Sequence, residues 1–185
     1  MYIIKVKLKK GDRKMNIQKI PANSNAYGNT RDKKNVKYIV IHYTAGKGDT
    51  AVNEGLYFKN ANSRSAGAHF FVDQNGEIVK SVAMNRTAWS VGGSKYTDCF
   101  KTGGGKLYKV VTNANSVSIE LCDNLDKDPS KEQIKAVKEL IKYIRKHCPN
   151  AKTVVRHFDV TGKHCPQRMM EQKKWDSFLK KIGEK

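Results

Sequence analysis

The stretch VVRHFDVTGKHCPQRM, residues 154–169, places His157, Lys163, His164 and Cys165 within nine positions. A further histidine, His42, ends the short apolar run YIVIH. Two imidazoles and one thiolate, with a fourth position left open, are the donor set expected of a catalytic zinc site. Because His42 lies more than a hundred residues before the other two, spacing alone leaves open that these are surface histidines or hydrogen-bonded core histidines.

Two predicted strands deliver these histidines to their carboxyl ends. VKYIVIHYT (36–44) and TVVRH (153–157) are short β-branched runs typical of buried strands. ANSVSIELC (114–122) alternates as a third strand, which carries Glu120. Strand ends that open into loops are common positions for reactive groups on a rigid scaffold, so we expect the chemistry at this edge.

Two segments around these strands predict a helix and a hairpin. Asp49 or Thr50 can cap a helix that continues to about residue 60, with Val52, Leu56 and Tyr57 on one face. AHFFVDQNGEIVKSV (68–82) predicts two strands joined through Gln-Asn-Gly, because Asn-Gly is a strong hairpin signal.

The last third of the chain predicts two amphipathic helices. In residues 130–147, Ser130 and Gln133 form a capping box ahead of apolar positions at helical spacing. His147 at the end of this helix is explained by the helix dipole. A second helix is predicted within residues 167–182. Residues 91–113 contain a TGGG run, which indicates a long loop near the functional site or disorder.

The chain of 185 residues has the length of one domain, and we find no internal repeat. We predict a basic N-terminal arm over 1–35, with a short strand at YIIKVKLK, and a catalytic domain over 36–185. Eleven Lys and Arg and two Asp give residues 1–37 a net charge of +9, out of +19 for the whole chain. Such a charge implies a polyanionic partner. Charge alone does not decide among nucleic acid, an anionic membrane and an anionic bacterial wall.

No stretch of the sequence predicts a membrane span or the apolar core of a signal peptide. The four cysteines, Cys99, Cys122, Cys148 and Cys165, include no CxxC pair. In a chain made in the cytosol they would normally stay reduced. The sequence leaves open whether Cys99 and Cys122 are buried thiols or form a pair.

Five motifs in one order resemble the type 2 N-acetylmuramoyl-L-alanine amidases. They are YIVIHYTAG, SAGAHFFVDQNGEI, RTAWSVGG, NSVSIEL and RHFDVTGKHCP. This family includes phage lysins and bacterial autolysins and is related to the peptidoglycan recognition proteins. The resemblance covers roughly residues 36–182. It implies a single α/β domain of the peptidoglycan-recognition-protein or amidase type, with a central mixed β-sheet flanked by α-helices.

The resemblance also implies a role for individual residues. His42, His157 and Cys165 match the three ligands of one catalytic Zn²⁺. Lys163 matches the catalytic lysine, and Glu120 matches the glutamate that many members use as general base. Some members instead place a tyrosine where this sequence has Ala68, so that variant of the mechanism is excluded here.

Three further residues are assigned to substrate binding, namely Trp89, His69 and Asn113. In the family the segment around Trp89 lines the substrate groove, and a histidine often stands where this chain has Ser90, which predicts a weakened contact there. His69 is expected to be either structural or on the substrate side of the hairpin. His164 matches no ligand and is expected to point away from the metal.

The resulting prediction is zinc-dependent hydrolysis of the bond between N-acetylmuramic acid and L-alanine in peptidoglycan. The expected partners are a Gram-positive wall and, through the basic surface, its anionic polymers. We expect a phage or prophage endolysin, made in the host cytoplasm without a signal peptide and acting on the wall after release. The sequence leaves open whether the basic surface binds the wall or the chain is an excised catalytic domain, with a preference for the latter.

Two other classes remain as alternatives. A non-catalytic peptidoglycan-binding module would share the fold, and loss of the third ligand would be its usual mark. A nucleic-acid binder would account for the charge, but it leaves the histidines and cysteine unexplained. No interleaved aromatic and basic stripe supports it.

Overall fold

The computed structural model describes residues 3–5, 15–60 and 64–184. The strands are β1 (Ile3–Lys5), β2 (Asn16–Lys19), β3 (Tyr27–Thr30), β4 (Tyr38–Tyr43), β5 (Phe70–Val72), β6 (Ile78–Lys80), β7 (Arg86–Ala88), β8 (Ser116–Leu121) and β9 (Thr153–Arg156). The α-helices are α1 (Ala51–Asn60), α2 (Cys99–Thr102), α3 (Lys131–His147), α4 (His157–Thr161) and α5 (Gln172–Ile182).

Seven strands form one sheet in the order β1-β2-β6-β5-β8-β4-β9. β4 is parallel to β8 and β9, β5 is parallel to β8, and β2 is parallel to β6. The β1–β2 and β5–β6 pairs are antiparallel. β3 and β7 form a separate antiparallel pair. The predicted single α/β domain with a central mixed sheet is therefore confirmed, as is the hairpin between β5 and β6.

One face of the sheet packs against α3 and α5. Ile39 and Ile41 of β4 and Ile119 of β8 are buried in one cluster with Leu140 of α3 and Leu179 of α5. Each such aliphatic side chain contributes about 1.5–3 kcal/mol when it is fully buried. This cluster fixes β4 and β8, the two strands that carry His42 and Glu120.

The other face is covered by α1 and by the segment predicted as a long loop. Val40 of β4 packs with Val91, Val111 and Val155. Residues 91–113 are therefore an ordered covering of the sheet, with α2 inside them. The part of this prediction that named disorder is wrong, because valines at both ends of the segment are buried.

α1 begins and ends close to its predicted bounds, but it presents a different face to the sheet. Ala51 and Gly55 are buried, whereas Leu56 and Tyr57 are 42% and 40% exposed. A Cβ at Gly55 would lie 2.8 Å from Val79 Cγ1, so the helix approaches the sheet on its smallest residues. Leu56 and Tyr57, placed on one face from their helical spacing, therefore do not form the face that meets the sheet.

Half of the capping box predicted for α3 is present. The Ser130 hydroxyl accepts a hydrogen bond from the Gln133 backbone N–H at 2.9 Å. The Gln133 side chain instead donates to the carbonyl oxygens of Val72 and Cys122, at 2.8 and 3.1 Å. Gln133 therefore joins α3 to the ends of β5 and β8.

Residues 15–35, assigned from the sequence to a basic arm, pack against the domain. Ile17 of β2 is completely buried in the cluster beneath α3. Tyr27 of β3 pairs with Ala88 of β7. The predicted strand at YIIKVKLK includes β1, and the rest of that stretch lies outside the described residues. Packing thus continues across residue 36, the predicted boundary of the catalytic domain.

α3, with 17 residues, is the longest helix in the described part of the chain. A membrane-spanning helix needs about 20 predominantly apolar residues. Among the described helices none combines the length and the apolar character that crossing a bilayer requires.

Candidate metal centre and substrate cleft

His42 and Glu120 are direct partners in the parallel register of β4 and β8. Each lies one residue before the end of its strand, on the sheet face that α1 covers. His42 is 2% exposed and Glu120 is 19% exposed. The sheet therefore places an imidazole beside a carboxyl group at the rim of the core.

His157 is the first residue of α4, directly after β9. The buried Arg156 forms this strand-to-helix turn, since its backbone N–H and its guanidinium both donate to Asp159, at 2.8 and 2.6 Å. Arg156 also donates to the Met169 carbonyl oxygen at 2.9 Å. The turn that carries His157 is thus bound both locally and to the segment after Cys165.

The loop after α4 returns Cys165 to the start of that helix. Gly162 ends α4 with a φ of +86°, and a Cβ there would overlap Cys99 Sγ. The Phe158 N–H then donates to the Cys165 carbonyl oxygen at 2.9 Å. Glycine is needed at this turn for both its φ and its lack of a side chain.

These elements bring His42, His157 and Cys165 together as one buried cluster. Their candidate ligand atoms all lie within 4.8 Å of one another. The His42 and His157 ring centroids are 4.7 Å apart. His42 Nδ1 lies 3.8 Å from Cys165 Sγ and 3.9 Å from Glu120 Oε1.

The donor set and its spacing fit a zinc ion. Nitrogen and sulfur atoms bound tetrahedrally to one zinc lie about 3.5 Å apart, and His42 Nδ1 lies 3.8 Å from Cys165 Sγ. Among the described residues, His157 Nδ1 and Glu120 Oε2 are buried without a hydrogen-bond partner. Leaving a buried polar atom unsatisfied costs about 1–3 kcal/mol, so atoms without partners point to a group that they would bind.

Both imidazoles are held in the neutral form that binds metals. Burial, with a contribution from Lys163, lowers the pKa of His157 to about 3. Burial also lowers the pKa of His42 well below its ordinary value, and His157 and Lys163 add to this effect. At neutral pH each ring therefore offers a lone pair.

Burial raises the pKa of Glu120 to about 8, while the positive charge of Lys163 opposes that rise. Burial likewise raises the pKa of the Cys165 thiol, and Glu120 adds to it. For both acidic groups, burial favours the protonated form. A cation bound between them would favour the thiolate and the carboxylate.

Lys163 and His164 are neighbours with different surroundings. Lys163 is exposed and lines the cleft that reaches His157. His164 is 57% exposed and faces Asp98, with its Nε2 3.4 Å from Asp98 Oδ2. The structure therefore brings Lys163 to the cluster's open side and places His164 away from it.

The cleft beside the cluster has a volume of about 740 Å³. It is lined by Ser65, Trp89, Ser90, Gly92, Gly93, Ser94, Lys95, Tyr96, Thr97, Asn113, His157, Thr161 and Lys163. Trp89 is 38% exposed, and its ring lies against Gly28 of β3, where a Cβ would overlap it. Its backbone N–H donates to the Ala26 carbonyl oxygen at 3.1 Å.

Asn113 holds the cleft wall as well as lining it. Its Oδ1 accepts hydrogen bonds from the backbone N–H groups of Ser90 and Val91, at 3.0 and 2.7 Å. Arg31 donates to the Asn113 carbonyl oxygen at 2.6 Å and to the Met84 carbonyl oxygen at 3.2 Å. Sequence reasoning missed Arg31, because a lone arginine in a basic stretch carries no local signal of these distant partners.

His69 does not reach the cleft. It is completely buried, and its Nδ1 lies 3.0 Å from Ser118 Oγ. Its Nε2 lies 2.9 Å from the Arg31 guanidinium and 3.1 Å from the Arg86 carbonyl oxygen. The prediction that His69 contacts substrate is therefore corrected, since both ring nitrogens are used within the core.

Comparison with known proteins identifies a family for this chain. The family model described as N-acetylmuramoyl-L-alanine amidase matches residues 32–168. The amidase CwlA of Bacillus subtilis (strain 168) is 32% identical over 161 residues, covering 80% of this chain and 52% of the relative. The amidase XlyA of the same organism is 30% identical over 148 residues, covering 79% and 44%. The chain spans about half or less of the length of such curated relatives.

Solved structures extend the similarity to the whole fold. The catalytic domain of XlyA superposes with a TM-score of 0.66 at 29% identity, covering 90% of this chain and 99% of that one. A mutant endolysin from Bacillus subtilis gives a TM-score of 0.67 at 28% identity, covering 91% and 99%. Since the family model matches most of its length, the chain belongs to the N-acetylmuramoyl-L-alanine amidase family.

Proposed function

We propose that this chain is a zinc-dependent amidase that cleaves the bond between N-acetylmuramic acid and the L-alanine of the peptidoglycan stem. The observation that carries the proposal is the buried His42, His157 and Cys165 cluster with Glu120 beside it at the end of an open cleft. The family match over residues 32–168 supports the choice of substrate.

His42, His157 and Cys165 would hold the zinc ion. When bound, zinc polarises an amide carbonyl and makes a water molecule acidic enough to attack at neutral pH. The protein supplies two neutral rings and a thiol that releases its proton on binding. The sheet and α4 position these three side chains in one cluster.

Glu120 would act as the general base and acid. Its Oε1 lies 3.9 Å from His42 Nδ1. Its Oε2 has no hydrogen-bond partner among the described residues, so this oxygen can accept a proton. A pKa near neutrality makes a carboxyl group efficient both in accepting and in returning a proton. The raised pKa of Glu120 is in that direction.

Lys163 would stabilise the negative charge that develops on the scissile carbonyl oxygen. Its charge reaches the cluster, because it lowers the pKa values of His42 and His157 and opposes the rise for Glu120. It also lines the cleft that a substrate would enter. A positioned cation of this kind stabilises the transition state more than the ground state.

The biological setting is also part of the proposal. A solved structure similar to this chain is an endolysin from Bacillus subtilis. We place the chain with the endolysins that attack a Gram-positive wall, made in the host cytoplasm and active after release. Its charge of +19 supports attraction to anionic wall polymers. A nucleic acid would fit the charge as well, but it would leave the buried histidines and cysteine unexplained.

The second candidate is a peptidoglycan-binding module without turnover. It would use the same cleft, with Trp89 and Asn113 on its wall. A module of that kind needs no metal ligands, whereas this chain keeps all three and buries them together. We therefore favour the enzyme.

The deciding experiment measures the products released from purified Gram-positive cell walls, with and without a chelator. Newly freed L-alanine amino groups and reducing sugar ends are assayed together with turbidity. We expect chelator-sensitive release of amino groups without reducing ends, restored by added zinc. Binding to walls without any product would identify the recognition module, and reducing ends would identify a glycosidase.

A further inference from the structure

A second cavity, of about 260 Å³, lies among β2, β6 and β7. It is lined by Lys19, Pro21, Ala22, Tyr27, Lys80, Ser81, Ala83 and Arg86. Three of these residues are cationic and none is acidic. β5 separates β2 and β6 from β8 and β4, which carry Glu120 and His42, so this cavity is not part of the cleft described above.

The two lysines of this cavity are direct register partners, Lys19 on β2 and Lys80 on β6. Like charges on directly paired residues destabilise a sheet. The pKa of Lys80 is lowered by burial and by the charges of Lys19 and Lys33. Among the described residues, no carboxylate forms an ion pair with either lysine. The two ammonium groups therefore repel each other, and that of Lys80 lies over the Phe70 ring, 5.9 Å from its centroid.

Arg86 adds a donor to the same cavity, and Ser81 lines it next to Lys80. The Arg86 guanidinium lies over the Tyr27 ring, 5.6 Å from its centroid, which leaves the edges of the planar group free to bind. Ser81 is 5% exposed, and its hydroxyl has no hydrogen-bond partner among the described residues. The Ser81 backbone is already bonded, since its N–H donates to His69 and its carbonyl oxygen accepts from Ala22.

We propose that this cavity binds a phosphate group, carried by free phosphate or by a phosphodiester polymer. Two ammonium groups and a guanidinium are donors that phosphate oxygens accept well. The volume is slightly below the 300–1,000 Å³ typical of drug-sized ligands, which suits one phosphate and the atoms next to it.

The sheet separates this site from the candidate metal centre. Lys80 pairs with Phe70, which pairs with Ile119, a residue buried beneath α3. The next row, Phe71 and Glu120, faces the opposite side together with His42. Binding at the cavity therefore does not depend on amide hydrolysis, and either proposal can fail without the other.

The first test is the melting temperature in sodium phosphate, against sodium chloride of the same ionic strength. Ligand that binds only the folded state stabilises it, so phosphate should raise the Tm of the native chain. The variant Lys19→Gln/Lys80→Gln should melt higher than the native chain without phosphate, because the repulsion is removed, and should lose the phosphate response. The control Lys173→Gln/Lys180→Gln changes the net charge equally on α5 and should keep the response. Lys19→Gln alone serves if the double variant fails to fold.

The second test locates the bound phosphate by amide chemical shifts in a titration. We expect shifts at Lys80 and Ser81, and at least about tenfold weaker binding in Lys80→Gln. Shifts confined to Gly162 and Lys163, or an equal phosphate response in the double variant, would overturn the proposal.

A soluble glycerol-phosphate polymer distinguishes the two sources of phosphate. Tighter binding of the polymer per phosphate group would identify a phosphodiester chain as the ligand. Equal binding of both probes would identify free phosphate. Both results require the same shifts at Lys80 and Ser81, and binding of the polymer that leaves these two amides unshifted would contradict the proposed site.

Discussion

The two walls of the cleft are held by different kinds of contact. On the metal side, His42 and Glu120 belong to central strands, which are fixed by parallel pairing and by the core beneath them. On the opposite side, Trp89 and the residues after it depend on a few contacts, chiefly the two hydrogen bonds to Asn113 and the packing on Gly28. The candidate metal ligands are therefore positioned by the core, whereas the proposed substrate side of the cleft is held by segments far apart in sequence.

This difference predicts two classes of variant. Changes on the metal side should reduce metal content or kcat and leave KM unchanged. Changes on the opposite side should raise KM and leave metal content unchanged. Each prediction below tests that division. A raised KM from a metal-side variant, or lost metal from a variant on the opposite side, would contradict it.

Cys165→Ser should have the largest effect, with loss of both metal and activity. Serine removes the soft thiolate from a set of three ligands, and a neutral hydroxyl replaces it poorly. We expect zinc content near zero by elemental analysis and no amino groups released from cell walls. Cys148→Ser, a buried cysteine outside the cluster, should retain zinc and activity. A zinc-loaded, active Cys165→Ser would remove Cys165 from the ligand set.

Glu120→Gln should abolish most turnover but retain the metal. The amide keeps the shape of the side chain and cannot accept a proton, so we expect kcat to fall by about 10²–10⁴. Zinc content and KM should stay near the native values. Substantial activity in this variant would show that another group transfers the proton.

The metal side could be predicted from the sequence because its signals are short-range. β4 and β8 appear as β-branched runs that end at His42 and just after Glu120, and α3 appears as a periodic pattern opened by Ser130. Cys165 lies eight residues after His157 in one loop. The spacing alone did not show that His42 belongs to the same cluster as His157 and Cys165. That prediction depended on the order of the five motifs.

The substrate wall could not be predicted in the same way, because its contacts join distant residues. Arg31 and Asn113 are 82 positions apart, and Val91 and Asn113 are 22 apart. Nothing local to Arg31 distinguishes it from the lysines around it. The inward face of α1 was missed for a related reason, since close approach to the sheet selected Gly55 over larger apolar residues.

Asn113→Ala should raise KM about tenfold with kcat and zinc content nearly unchanged. Loss of the two hydrogen bonds to Ser90 and Val91 loosens the wall, and about 1.4 kcal/mol corresponds to tenfold. Asn113→Asp separates positioning from direct contact, because a carboxylate still accepts both N–H groups but has no N–H to donate. A native KM in Asn113→Asp would assign the residue to positioning. A KM as high as that of Asn113→Ala would assign it to substrate contact through its amide nitrogen.

Gly28→Ala should give the smallest rise in KM, and one that arises only from the position of Trp89 beside the cleft. The added Cβ would overlap the Trp89 ring, so the ring must move from its place beside the cleft. A partly lost aromatic contact is worth about 0.7 kcal/mol, or about threefold in KM. A shift in tryptophan fluorescence together with the higher KM in Gly28→Ala would show that β3 sets the position of Trp89 and that the substrate side of the cleft extends into residues before the family match. Shifted fluorescence with a native KM would show that Trp89 does not contact the substrate.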